Sequence, residues 1–219
     1  MKALSAALLF LTAAALGAQS APKPTTAAEA PNRDTSYIDA QGTAHVTRVV
    51  PVPKDLSPEA RRSLSRREPD QGPPQSLAVR RKMTDAYTAG ARVQWTKVCP
   101  NTLTDETIAG VPVHVVVPEG MPKENEDKVL LNLHGGGFNS DSGSYTESIP
   151  IAGYARMKVV AVLYRLAPEH PFPAAVDDSI AVYKELLKTY KPEHIVIYGT
   201  SAGAILTGEV AVRIKQLGL

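Results

Sequence analysis

The 219-residue chain carries a formal net charge of +2, with 21% charged and 43% hydrophobic residues, a balance that allows one domain with a real core. So small a charge gives no reason to expect a nucleic-acid partner. The single cysteine, Cys99, excludes a disulfide within the chain.

The first twenty residues read as a secretory signal. Lys2 supplies the positive start, residues 3–16 form an apolar stretch short for a bilayer span, and "AQS" at 18–20 offers the small residues of a cleavage site near Ser20. Export to a periplasmic or secreted location follows as an expectation, with no stable membrane insertion after cleavage. Residues 21–55 are rich in Pro, Ala and Thr without periodicity, and nine of the 18 prolines lie between positions 22 and 74. A flexible leader without regular structure is expected there.

Residues 56–219 are expected to form an α/β domain, with helices over 56–95 and a sheet core over 96–219. "SPEARRSLSRRE" places Ser57 as N-cap, Pro58 at the first helical position and Glu59 in the first turn. "QSLAVRRKMTDAYTAG" predicts a second helix stopping at Gly90. Nine basic against four acidic residues between Arg48 and Lys82 predict a solvated basic face. From Gly110, "VPVHVVVP", "KVLLNL" and "MKVVAVLYRLAP" read as strands, the last stopped by Pro168. "AAVDDSIAVYKELLKTY" carries Val176, Ile180, Tyr183, Leu187 and Tyr190 at helical spacing, with Asp177 and Asp178 in its first turn. "HIVIYG" is a strand again, and a helix is expected from there to Gly218. Strands alternating with helices predict a largely parallel sheet.

Two glycine-rich turns carry the chemistry. "GTSAG" follows a strand and opens a helix, the layout that lifts a serine hydroxyl above the sheet edge. Gly199 and Gly203 leave room for neighbouring backbone, and the helix N-terminus places partial positive charge beside Ser201. "LHGGGF" at 133–138 also ends a strand. Its glycines let backbone N–H groups approach a developing oxyanion. The expected donors are the N–H groups of Gly136, Gly137 and Ala202.

The run "LHGGGF … VLYRLAPEHPFPAAVDD … IVIYGTSAGA" resembles the hormone-sensitive-lipase-like branch of the α/β-hydrolase esterases over about residues 80–219. The resemblance implies an eight-stranded, mostly parallel sheet with flanking helices and N-terminal cap helices. It also implies hydrolysis of small, short-chain carboxylic esters without cofactor or metal. It makes Ser201 the nucleophile, Gly136, Gly137 and Ala202 the oxyanion hole, and His134 the residue that orients the glycine loop.

In this fold an acid and then a histidine follow the nucleophile along the chain. Here Glu209 is the single acid after Ser201 and no histidine follows. Among the five histidines, His45 lies in the leader and His114 in a strand. His194 starts the elbow strand, about 15–20 Å from its far end at about 3.3 Å per residue. His134 and His170 follow strand ends on the serine's side, where loop orientation and wall packing are the expected roles. The expectation is a domain truncated after the elbow helix, without the acid and histidine of its triad and inactive on its own. The alternative is a degenerate hydrolase acting as a ligand-binding or two-chain component. Oligomeric state leaves no mark in the sequence.

Overall fold

The computed structural model describes residues 33–64 and 74–219. The chain divides into two compact units after residue 70. The signal read over residues 1–20 lies outside the described residues.

The first unit holds an antiparallel hairpin, β1 (Thr35–Ile38) and β2 (Ala44–Thr47), with Ile38 opposite Ala44. This corrects the expectation of no regular structure over 21–55. The turn is built by Asp39, whose carboxylate accepts the N–H groups of Gln41 (3.0 Å) and Thr43 (2.9 Å), while Gly42 takes a positive φ of 84°. His45 lies 2.8 Å from the same carboxylate and holds it below its ordinary pKa. Helix α1 (Pro58–Leu64) follows, with the Ser57 hydroxyl accepting the Ala60 N–H as the cap predicts.

The second unit opens with α2 (Leu77–Val98), capped by Ser76. The helix runs through Gly90 rather than stopping there. Gly90 is an ordinary helical residue with open space around it, and its α-helical cost of about 1 kcal/mol is outweighed by the helix formers on both sides. The helix ends at Cys99, because the residue before Pro100 is driven out of the helical region.

Strand β3 (Asn101–Ile108) was not expected from the sequence. It is a polar edge strand paired antiparallel with β4 (Val111–Pro118) through a two-residue turn, with Ala109 at φ 51° and Gly110 at φ 82°. Exposure on an edge lets Asp105 and Glu106 sit in a strand that shows no apolar alternation. Next come β5 (Val129–Leu133), α3 (Ser148–Ala155), β6 (Lys158–Val162), α4 (Ala174–Leu186), β7 (Ile195–Gly199) and α5 (Ala202–Leu217). Tyr190 is buried as its spacing predicts, but lies beyond the end of α4.

The sheet order is β3-β4-β6-β5-β7. β4 is antiparallel to both neighbours, and β5 pairs parallel with β6 and β7. The sheet is therefore mixed but mostly parallel, flanked by helices. Alternation along each strand sends side chains to two cores. Val113, Val115, Leu131, Leu133, Val160 and Val162 meet Val176, Ile180, Leu206 and Val210 of α4 and α5. Val116, Leu130 and Val159 meet Ile149 and Ala152 of α3, with Trp95 and Cys99 from α2. The parallel register sets Leu133 of β5 opposite Gly199 of β7. Both glycine-rich turns consequently leave the same sheet edge side by side.

Candidate active site

The elbow is a strand stopped against a helix start. Ser201 sits between β7 and α5 at φ 55°, ψ −120°, a backbone region that costs a non-glycine residue about 1–3 kcal/mol. The turn is closed by the Gly203 N–H on Thr200 O (2.9 Å), and Ser201 O accepts the N–H groups of Ala204 (3.0 Å) and Ile205 (3.3 Å). A Cβ at Gly203 or Gly199 would run into the Leu133 carbonyl oxygen of β5. The side chain of Ser201 is thereby left on the exposed side, and it makes no capping hydrogen bond to the helix.

The glycine loop needs its residues for conformation as well as space. Gly136 is at φ 126° and a Cβ there would meet the Ser140 carbonyl oxygen; Gly137 is at φ 63° with room around it. Gly136 O gathers the N–H groups of Asn139 (3.2 Å) and Ser140 (3.1 Å) and the Ser140 hydroxyl (3.0 Å). The N–H groups of Gly136, Gly137 and Ala202 donate to no acceptor among the described residues. A Cβ on Gly135 would lie 2.9 Å from Thr200 O, so loop and elbow touch.

His134 is buried beneath the loop. Its ring stacks on Tyr164 with centroids 4.2 Å apart, and Nδ1 donates to Gly135 O at 2.8 Å. The Tyr164 hydroxyl donates to His134 O at 2.6 Å. Burial pushes the Tyr164 phenol far above its ordinary pKa, so it remains a donor.

Residues 130–219 match the family model described as the alpha/beta hydrolase fold. An esterase of Acinetobacter venetianus is 38% identical over 92 residues, covering 41% of this chain and 30% of that protein. The versiconal hemiacetal acetate esterase of Emericella nidulans is 32% identical over 117 residues, covering 52% of this chain and 40% of its own. The crystal structure of an esterase from the bacterial hormone-sensitive lipase family superposes with a TM-score of 0.57 at 29% identity. That superposition covers 68% of this chain and 48% of the other. Residues 130–219 carry part of an α/β-hydrolase fold, and the chain is similar to an esterase of the bacterial hormone-sensitive lipase family. The chain spans less than half the length of both curated relatives.

Among the described residues no histidine hydrogen-bonds the Ser201 hydroxyl. The His114 Nδ1 is 2.6 Å from Asp105 and its ring stacks on Tyr145. His194 Nδ1 is 3.0 Å from Asp127, before the start of β7. His170 is exposed and helps line a largely apolar recess of about 250 Å³ with Phe138, Ala167, Phe172, Val176 and Glu209. His45 belongs to the hairpin of the first unit. Among the described residues no three His, Cys, Asp or Glu side chains are grouped as a metal site.

Several residues that shape the site have roles that the sequence does not reveal. Glu147 accepts the Gly135 N–H (3.1 Å) and the Asn132 amide (2.9 Å) under the loop. Beside it Asn132 Oδ1, Ser148 Oγ and Tyr198 OH are buried close together without a hydrogen bond of good geometry. Asp141 accepts the N–H groups of Gly143 (3.1 Å) and Ser144 (2.8 Å), and "DSGS" is the one turn signature that marks it. Asp178, expected to serve the helix dipole, is buried and holds Arg165 through its backbone N–H (2.8 Å) and guanidinium (2.9 Å).

Proposed function

We propose that this domain serves a serine carboxylesterase acting on small, short-chain esters. The supporting observation is Ser201 on a strained elbow, beside three backbone N–H donors without acceptors among the described residues. Ser201 Oγ attacks the ester carbonyl, and the tetrahedral oxygen is received by the N–H groups of Gly136, Gly137 and Ala202. Each such donor contributes about 3–4 kcal/mol to the transition state. Collapse releases the alcohol and leaves an acyl-serine, which water hydrolyses. His134 orients the glycine loop through Gly135 O.

The serine proton needs a base within hydrogen-bond reach. Residues 1–219 place no histidine and no aspartate after Ser201. The reading therefore needs an acid-and-histidine pair that residues 1–219 do not place after Ser201. It expects the 219-residue polypeptide alone to hydrolyse p-nitrophenyl acetate no faster than its Ser201→Ala form. The natural polypeptide carrying these residues should show a Ser201-dependent rate. A Ser201-dependent rate from the 219 residues alone would put the base among them, with His170 the first to test.

A second reading is favoured by the absence of a histidine bonded to Ser201 among the described residues. The same loop and elbow then bind an acyl or carboxylate ligand without turnover. Poor reaction of the natural polypeptide with a fluorophosphonate probe would select it. We also propose that residues 1–20 direct export. The N-terminal sequence of the mature protein from its native host should begin close to Ser20 or Ala21. Retention of Met1 or of the apolar stretch would contradict that.

A further inference from the structure

Arg81 reaches from α2 into the loops beside the site. Its Nε donates to Asn139 O at 2.6 Å and its Nη2 to Ala167 O at 2.9 Å. Nη1 and Nη2 also grip Glu169 in a two-pronged pair at 2.7 and 2.8 Å. Glu169 is half exposed, so its value lies in aiming the guanidinium fork rather than in charge attraction.

The hydrogen bonds beyond Arg81 form a directed chain. The carbonyl of the 139–140 peptide accepts from Arg81, while its N–H, on Ser140, donates to Gly136 O at 3.1 Å. Gly136 O belongs to the 136–137 peptide, and the N–H of that peptide is the Gly137 donor, which has no acceptor among the described residues. Two peptide dipoles thus point the same way, from a fixed positive charge to the Gly137 N–H, which has no acceptor among the described residues. Hydrogen bonds in such a row polarise one another, and more strongly where water is excluded. A parallel branch ties the second loop in, since Ala167 also donates its N–H to Phe138 O at 2.8 Å.

We infer that Arg81 is a positioning residue for ester hydrolysis, orienting and polarising the Gly137 N–H through the 139–140 and 136–137 peptides. The inference rests on the esterase reading for its effect on rate, while the hold on the loop stands independently of it. Arg81→Met, Arg81→Lys and Glu169→Gln are to be compared in the natural polypeptide that carries these residues. Hydrogen exchange of peptides spanning 134–142 and 163–170 is measured beside kcat and KM on p-nitrophenyl acetate.

Arg81→Met should speed exchange of both loops about tenfold while α5 exchanges as before. It should lower kcat about tenfold with little change in KM, since a misaimed donor is felt in the transition state. Arg81→Lys should recover little, because one ammonium cannot hold two carbonyls and a carboxylate in the same geometry. If Arg81→Met fails to fold, Glu169→Gln carries the test, with the same direction and a smaller effect. Unchanged loop exchange would overturn the inference. So would a kcat loss that vanishes when the temperature is lowered to restore the folded fraction. Absence of Ser201-dependent turnover in the parent protein would defeat the esterase reading instead, and loop exchange would still decide whether Arg81 holds the donor.

Discussion

The elbow and the glycine loop leave neighbouring strand ends, yet they are held in shape by different means. The elbow is fixed by crowding: Gly199 and Gly203 lie against the Leu133 carbonyl, and the start of α5 completes the turn. The loop is fixed by reach. Gly136 and Gly137 permit its conformation, but Glu147 and Arg81, from other parts of the chain, hold it there. A crowded turn is specified by its own few residues. An open one needs outside partners, and those partners decide where its free N–H groups point.

Substitutions at the two turns should separate these means. Gly203→Ala should be the most damaging, losing about 3 kcal/mol or more, because neither β5 backbone nor helix can retreat. Urea unfolding that shows a loss below 1 kcal/mol would break the crowding account. Removing the Glu147 carboxylate by Glu147→Ala should cost about 2 kcal/mol, since the Gly135 N–H loses its charged acceptor. Glu147→Gln should cost less, because Asn132 has an unpartnered Oδ1 to turn toward the new amide. Gly137→Ala should cost about 1–2 kcal/mol from its positive φ alone, as a Cβ there has room.

The loop's outside support also makes it sensitive to acid. Arg81 holds the Glu169 carboxyl well below its ordinary value, at about 2. A lowered folded-state pKa gives a stability present above the ordinary carboxylate value, about 4.5, and lost as pH falls toward 2. Glu169→Gln should flatten that part of the stability profile, measured by unfolding between pH 5 and pH 2. The smallest effect is expected at Gly208, inside α5 and surrounded by open space. Gly208→Ala should raise stability by about 0.5–1 kcal/mol, in contrast with every glycine that lines the site.

Legibility in the sequence follows the same division. The strands β4, β5 and β6 announce themselves as apolar runs, because burial on both faces favours apolar residues at most positions, and β7 repeats the pattern although Val196 is exposed. The elbow and glycine loop are legible because close approach admits only glycine. Edge strand β3 is hidden, since its exposed positions tolerate Asp105 and Glu106. The hairpin around Asp39 is hidden by the prolines that surround it. Helix α2 outruns its expected end because Gly90 has no turn to make, and Pro100 is the true stop. Arg81, Glu147 and Asp178 have no local pattern, because each acts on a partner fixed by tertiary contact. The family resemblance marks Ser201, Gly136, Gly137, Ala202 and His134, but none of the side chains that hold the loop from a distance.

The central claim is that Ser201 is an acyl-accepting nucleophile. Its most direct test is rapid acid quenching of the natural polypeptide with p-nitrophenyl acetate, followed by mass mapping of the peptide that contains Ser201. The account predicts an acetyl group on Ser201 during turnover, lost on decay, and hydrolysis reduced at least about a thousandfold in Ser201→Ala. Turnover at the parent rate in Ser201→Ala, or an acetyl group carried by another residue during turnover, would contradict it.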